Sequence, residues 1–286
     1  MKDDLGDRMK GQYEDRTRYS LPRRTYTIMR LDGKAFHTYT RGLKKPFDKA
    51  LSEDIDNAII AMLPEIQGAV FAYTQSDEIS ILLTDFATPQ TSAWFDGNLQ
   101  KMASVAASVI TAEFNLLRSN RIREELKSLT TTGEVRDFAH RFHNAYFDAR
   151  VFTIPDRIEV MNYMIWRNQD CARNSVSMVA QSLYSHNELM GKSSAEQQEM
   201  IHDKGMNWAN DFSNGEKNGR LVVKESYECP LSEINKGRTD EQKMIGLGAD
   251  GLLHDTVKRT RWVVKGCEKF TEDKDKLLAM IPSYPA

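Results

Sequence analysis

TYTIMRLDG (Thr25–Gly33) and AVFAYTQSDEISILLTDF (Ala69–Phe86) decide the architecture. The first stretch is rich in β-branched and aromatic residues and stops at Asp32-Gly33, which predicts a strand ending in a turn. The second predicts two short strands, Ala69 to Thr74 and Ile79 to Thr84, joined by the polar turn Gln75-Ser76-Asp77-Glu78. Between the two stretches, Asp48 is placed to cap a helix in which Leu51, Ile55, Ala58, Ile59 and Met62 recur at helical spacing until Pro64. Further on, Leu99, Met102, Val105, Ala106, Val109, Ile110 and Phe114 predict a long buried helix within Trp94 to Leu117. Ala149 to Ile154 is a fourth strand closed by Pro155, and Ile158 to Tyr184 is again helical in pattern. The order strand, helix, strand, strand, helix, strand predicts an α+β fold with a ferredoxin-like βαββαβ sheet. In that topology the first and third strands are central neighbours. Asp32 and Asp77 then emerge at one sheet edge, with Glu78 adjacent.

Outward from this block, composition narrows the function. Across 286 residues, 39 Lys+Arg against 41 Asp+Glu leave a net charge of −2, which excludes a uniformly basic nucleic-acid coat. With 40% hydrophobic residues the chain can bury a sizeable core. There is no apolar run near the roughly 20 residues needed to cross a bilayer, and MKDDLGDRMK has no hydrophobic leader, so a soluble cytoplasmic protein without membrane contact is expected. Cys171, Cys229 and Cys267 are too widely spaced for a disulfide framework or a CxxC zinc site, and reduced thiols are expected. The opening segment to Arg24 places Arg16, Arg18, Arg23 and Arg24 near Tyr13 and Tyr19; it suits phosphate holding and base stacking as well as it suits a solvated arm. From Gly191 the chain turns polar and Gly-punctuated, with LVVK as one short strand. The expected division is therefore residues 1–190, a catalytic domain with a basic arm, and 191–286, an appendage. Within the appendage, Lys258, Arg259, Arg261 and Lys265 around Trp262 fit either a nucleic-acid contact or a hairpin with one wet face.

Two aspartates at strand ends, without His or Cys partners, suit a hard cation with oxygen ligands, Mg²⁺ first among them. Gly33 lets its carbonyl approach such an ion, and Lys34, His37, Lys44 and Lys45 are near enough in sequence to neutralise a triphosphate. Paired carboxylates, two metals roughly 4 Å apart and a phosphate-binding lysine are the minimum for in-line nucleotidyl transfer. On spacing alone, ordinary turn aspartates are an equal reading. Gly191-Lys192-Ser193 ends like a P-loop, but His186 stands where the first glycine is needed and no strand leads in; a helix stop followed by the capping box Ser193-x-x-Glu196 explains it better.

MRLDGKAFHTYTRG with KKPFD behind it, TQSDEISILLTDF, FDARVF and WRNQDCARNSVSMVAQSLYSHNELMGKS together resemble the tRNA-His guanylyltransferase-like (Thg1-like) family of 3′-to-5′ nucleotide polymerases, from Met29 to about Gly205. The resemblance implies a polymerase-type palm, with Asp32 and Asp77 as side-chain ligands of two Mg²⁺ ions and the Gly33 carbonyl completing the set. Asp32, Gly33, Lys34, Ala35, Phe36 and His37, with Ser76 and Asp77, would line the nucleotide and its triphosphate. Lys45 matches the lysine of the family's KPND stretch and would hold a triphosphate, although Phe47 replaces the Asn there. Glu78 joins Asp32, Asp77 and Lys45 as a catalytic candidate. Arg23, Arg24, Arg150, Arg173, Asn174 and Ser175 are candidate RNA contacts. ATP or GTP as substrates, tRNA as partner and a homotetramer are further implications. One departure matters: where eukaryotic members read HINNLYN, this chain reads Ala172-Arg173-Asn174-Ser175-Val176-Ser177-Met178. That form resembles the bacterial, archaeal and phage branch, which implies template-dependent repair of 5′-truncated tRNA. The alternatives are addition of a single guanosine to tRNA-His, a nucleotide cyclase on the same kind of palm, and a non-catalytic RNA-binding module. The last would carry aromatics at RNP positions, which TYTIMRLDG and ARVFTIP lack.

Overall fold

The structure, a computed structural model, describes residues 3–127, 143–239, 242–246 and 252–285. Four strands build the centre: β1 (Tyr26–Gly33), β2 (Ala69–Gln75), β3 (Glu78–Thr84) and β4 (Phe147–Ile154). They lie in the order β4-β1-β3-β2. All three pairings are antiparallel: Leu31 stands opposite Ile79, and Asp32 opposite Asp148. β1 and β3 are therefore central neighbours, as the element order predicts. β1 runs two residues past the expected Leu31, because Asp32 and Gly33 keep ladder partners on β4. β3 is buried at six of its seven positions.

Three long helices flank the strands in sequence: α1 (Lys49–Met62), α2 (Leu99–Lys127) and α3 (Arg157–Leu183). Asp48 caps α1 by accepting from the Leu51 N–H at 2.8 Å. α2 starts later than Trp94, because Phe95 and Asp96 take left-handed backbone angles in a short 3₁₀ turn. Its buried stripe steps by four residues through Met102, Ala106, Ile110 and Phe114 and then reaches Arg118. The buried guanidinium is matched: Arg118 lies 3.1 Å from Asp54 of α1, and Arg121 reaches the same carboxylate at 2.8 Å. Hydrophobic spacing gave no sign of this ion pair. Gly191 at φ 76° follows the helical turn His186–Leu189, and Ser193 with Glu196 forms a capping box on the helix Ser194–Asp203, which disposes of the P-loop resemblance.

The chain forms two compact units, the first Met1–Val222 with Val264–Ala286, the second Val223–Val263. The first thus includes residues that the sequence reading gave to the appendage. Tyr73 and Asn168 both donate to the Asn218 carbonyl, at 2.8 and 2.7 Å. Tyr26 donates to the Pro282 carbonyl at 2.7 Å, and Tyr284 stacks on Phe86 with centroids 4.4 Å apart. LVVK opens a longer strand, β5 (Arg220–Pro230), and the sheet order continues from β2 to β5 and then β6 (Thr256–Gly266). Inside the second unit, Lys224 lies 4.9 Å from the Trp262 ring centre and Arg261 lies 5.0 Å from that of Tyr227. Most of β6 faces solvent. All three cysteines are free and buried. Among the described residues no helix is long and apolar enough to cross a membrane.

Candidate active site

The β2-β3 hairpin places Asp77 beside the end of β1. Ser76 sits at φ 49°, a left-handed conformation that turns the chain sharply before Asp77. Burial pushes the Asp77 carboxyl up to about 6; hydrogen bonds from Ser76 and from the backbone oppose the rise, and the charges of Asp32 and Glu78 add to it. Gly33 is required by close approach: a Cβ there would overlap the Phe36 ring and stand 2.8 Å from Asp77 Oδ2. Two carboxylates and an uncrowded backbone thus share one corner. Among the described residues no group of three or more His, Cys, Asp and Glu side chains converges as a metal site. Asp32, Asp77 and the Gly33 carbonyl are oxygen donors of the kind a hard cation such as Mg²⁺ takes.

Two cavities meet at this corner. One, of about 440 Å³, is lined by Asp32, Asp77 and Glu78, by Arg30, Arg167 and Arg220, and by Phe47, Leu51 and Trp166. The other, of about 500 Å³, is lined by His37, Arg41, Lys44 and Lys45. Ser76, Asp77, Asp48, Leu51 and Met178 line both. The lysine cluster and the carboxylates, linked in sequence only by spacing, are therefore walls of two adjoining cavities. The cationic side suits phosphates and the aromatic side suits a nucleoside.

Several candidates stand elsewhere than expected. Lys34 and Ala35 are exposed and line neither cavity; Ala35, at φ 54°, opens the helical turn Phe36–Tyr39. Phe36 is buried against Tyr39, Phe114 and Phe147 and also lines the basic cavity. Glu78 is not free: Arg167 grips it through Nε at 2.6 Å and Nη2 at 2.7 Å, and Arg30 Nη2 lies 2.7 Å away. Arg23 spends its guanidinium on Asp85 at 2.9 Å, Asp96 at 3.3 Å and the Thr91 carbonyl at 2.9 Å. Ser175 is buried and accepts from Trp208 Nε1 at 3.0 Å. Both side chains are thus engaged by partners within the protein. Arg150 is exposed on the edge strand β4, opposite Arg30; Arg173 and Asn174 are exposed on α3 and tied to Asp170. Sequence reading missed Arg30, Arg167, Asp170 and Arg220. The only available signal was an arginine inside each of two otherwise apolar patterns, Met29-Arg30-Leu31 and Ile165-Trp166-Arg167.

An α+β sheet that gathers paired carboxylates, a close-approach glycine and a basic loop at one corner suits the class of enzymes that transfer phosphoryl or nucleotidyl groups. A family model described as tRNA(His) guanylyltransferase matches residues 6–155, and the chain belongs to that family. It is 28% identical to the tRNA(His) guanylyltransferase of Debaryomyces hansenii over 80% of this chain and 86% of that protein. To the Schizosaccharomyces pombe protein of the same name it is 25% identical, over 81% and 85%. A bacterial tRNA(His) guanylyltransferase-like protein in complex with ATP superposes with a TM-score of 0.76 at 34% identity, covering 98% of this chain and 99% of that one. A complex with GTP gives 0.69 at the same identity and coverage.

Proposed function

We propose that this chain adds nucleotides in the 3′-to-5′ direction to the 5′ end of tRNA, and that it restores 5′-truncated tRNAs by copying the opposing strand. The observation that carries nucleotidyl transfer is the meeting of the basic and the aromatic cavity at Asp77. His37, Arg41, Lys44 and Lys45 hold the triphosphate in the basic cavity, while Phe47, Leu51 and Trp166 take the nucleoside side. Asp32, Asp77 and the Gly33 carbonyl would hold Mg²⁺. When bound, the two ions supply charge neutralisation at the transferring phosphate and lower the pKa of the attacking 3′-hydroxyl. Glu78, saturated by guanidinium contacts, orients this corner and exchanges no proton with substrate. The ATP and GTP complexes of the bacterial relatives support either nucleotide as substrate.

Templated repair is favoured over single guanosine addition by Ala172, which stands where the histidine of the eukaryotic motif would be. The strand order supports a ferredoxin-like palm of the polymerase type within residues 1–190. Arg24, Arg150, Arg173 and Asn174, with Lys258, Arg259 and Arg261 of the second unit, are the proposed tRNA contacts; a homotetramer and a cytoplasmic site of action complete the proposal. The test is incubation of 5′-truncated tRNA transcripts with Mg²⁺ and labelled nucleoside triphosphates. Wild type should extend the 5′ end, and Asp32→Ala and Asp77→Ala should each lose at least about 10²-fold of the rate, as expected when a ligand of a catalytic ion is removed. Cyclic product formed without RNA, or retention of rate in either variant at saturating Mg²⁺, would reject the reading.

A further inference from the structure

We infer that Arg167 is a positioning residue for the carboxylate corner, acting through Glu78. This rests on the metal reading of Asp32 and Asp77. Glu78 follows Asp77 directly and opens β3. Its Oε1 accepts from Arg167 Nε at 2.6 Å and from Gln75 Nε2 at 3.4 Å. Its Oε2 accepts from Arg167 Nη2 at 2.7 Å and lies 2.7 Å from Arg30 Nη2. Both oxygens are therefore consumed, and Glu78 can neither bind a cation nor take a proton without dismantling the cluster. Arg167 itself is 5% exposed at its side chain. It also donates to Asp170, one turn along α3, at 2.8 Å, and Asp170 is held in turn by Arg173 at 3.1 Å. Arg30 lies 3.9 Å from Asp32. One guanidinium fork thus ties α3 to the residue beside Asp77, while a second cation bridges from that residue toward Asp32.

The hairpin does not need this fork in order to form. Gln75 pairs with Glu78 in the ladder, and Ile79, Ile81 and Leu82 are fully buried behind it. Buried ion pairs of this kind are commonly replaceable by apolar residues at no loss of stability, so stability alone gives no reason for one here. What the ladder leaves undetermined is the pose of the turn itself, where Ser76 is strained and Asp77 must stand against Gly33. A bidentate grip on the next residue fixes that pose to a fraction of an ångström, which is the tolerance ion ligation demands.

Arg167→Lys keeps the charge and loses the fork; Asp170→Asn removes the second anchor and keeps the fork. Mn²⁺ binding to the nucleotide-free protein, followed by electron paramagnetic resonance, should weaken about 10- to 100-fold in Arg167→Lys and less in Asp170→Asn. The Mg²⁺ concentration for half-maximal nucleotide addition should rise in parallel. Excess Mg²⁺ should recover most of kcat, and in Arg167→Lys the KM for tRNA should stay unchanged. A fall in kcat that is equal at every Mg²⁺ concentration, with Mn²⁺ affinity unchanged, would overturn the inference while leaving the metal reading intact. If Asp32→Ala and Asp77→Ala, run alongside, bind Mn²⁺ as tightly as wild type, the metal reading fails and the positioning role falls with it. Should Arg167→Lys not fold, Asp170→Asn carries the same comparison, and an unchanged Mn²⁺ affinity there counts against the role.

Discussion

At the scale of single residues, charge placement separates working side chains from structural ones. Asp77 has a folded pKa of about 6 against an ordinary 3.8, chiefly because burial disfavours the carboxylate. The metal-free fold therefore prefers the protonated acid: there is no penalty below the ordinary value, it grows as pH rises from about 4 to about 6, and it is constant above. Removing that charge should stabilise accordingly. In thermal melts without divalent ions, the gain in Tm of Asp77→Asn over wild type should be near zero at pH 4, increase to pH 6 and then stay level; a gain that shrinks with rising pH would contradict the burial account. Arg23 illustrates the opposite case. The sequence offered it as part of a basic arm, yet its three contacts converge on the β3-α2 connection, where Asp85 is nearly buried. Arg23→Ala should cost about 2 kcal/mol in urea unfolding by leaving Asp85 short of a partner, and the salt dependence of tRNA binding should keep its slope. A flattened slope at unchanged stability would return Arg23 to the RNA surface.

At the scale of elements, what was legible followed from periodicity, and what was not legible depended on backbone angles and long-range charge. Alternating and helical apolar patterns located four strands and three helices, with ends displaced by one or two residues except at α2, which begins at Leu99 and runs on past Leu117 to Lys127. α2 starts after Trp94 because Phe95 and Asp96 adopt positive φ, a turn that Asp96-Gly97 signals but the apolar spacing does not. The buried Arg118 and Arg167 and the half-buried Arg220 were invisible, because each is matched by a carboxylate far away in sequence: Asp54, Glu78 and Asp56. Asp32, Gly33 and Asp77 were legible because the strand order itself brings them together. The length of β5 was underestimated, since after LVVK its side chains alternate between buried and wet and lose any apolar run. Its entry is nonetheless tightly specified. Gly219 has φ 84° and ψ −175°, a region that only glycine populates easily, and a Cβ there would lie 2.7 Å from Tyr73 Cζ and 2.8 Å from the Thr74 carbonyl. Gly219→Ala should destabilise by about 3 kcal/mol from strain and overlap together. Unfolding in urea measures it, and a loss below about 1 kcal/mol would show that the β2-β5 junction yields more readily than its contacts suggest.

At the scale of the whole molecule, a chain of net charge −2 must handle a polyanion through local concentrations of charge. The basic cavity beside Asp77 is one, and the exposed Lys258, Arg259 and Arg261 of β6 are another. Asn174, an amide that lines the cavity beside Asp77, is already engaged by Asp170 at 3.3 Å. On the proposed reading of templated repair, base selection comes from the substrate. A tRNA that lacks its first 5′ nucleotide retains the opposing acceptor-stem residue, whose Watson–Crick edge discriminates among incoming nucleotides with no protein contact to any base; the enzyme need only hold helix shape, the 5′ end and the triphosphate. Changing that opposing residue in a truncated transcript should change the nucleotide incorporated to its complement, across several tRNA species, while the rate varies less than the identity does. The measurement is sequencing of the extended 5′ ends from transcripts that differ only at the template position. Incorporation of guanosine opposite every template base, confined to tRNA-His, would instead require a protein-encoded choice of base and would reject templated repair.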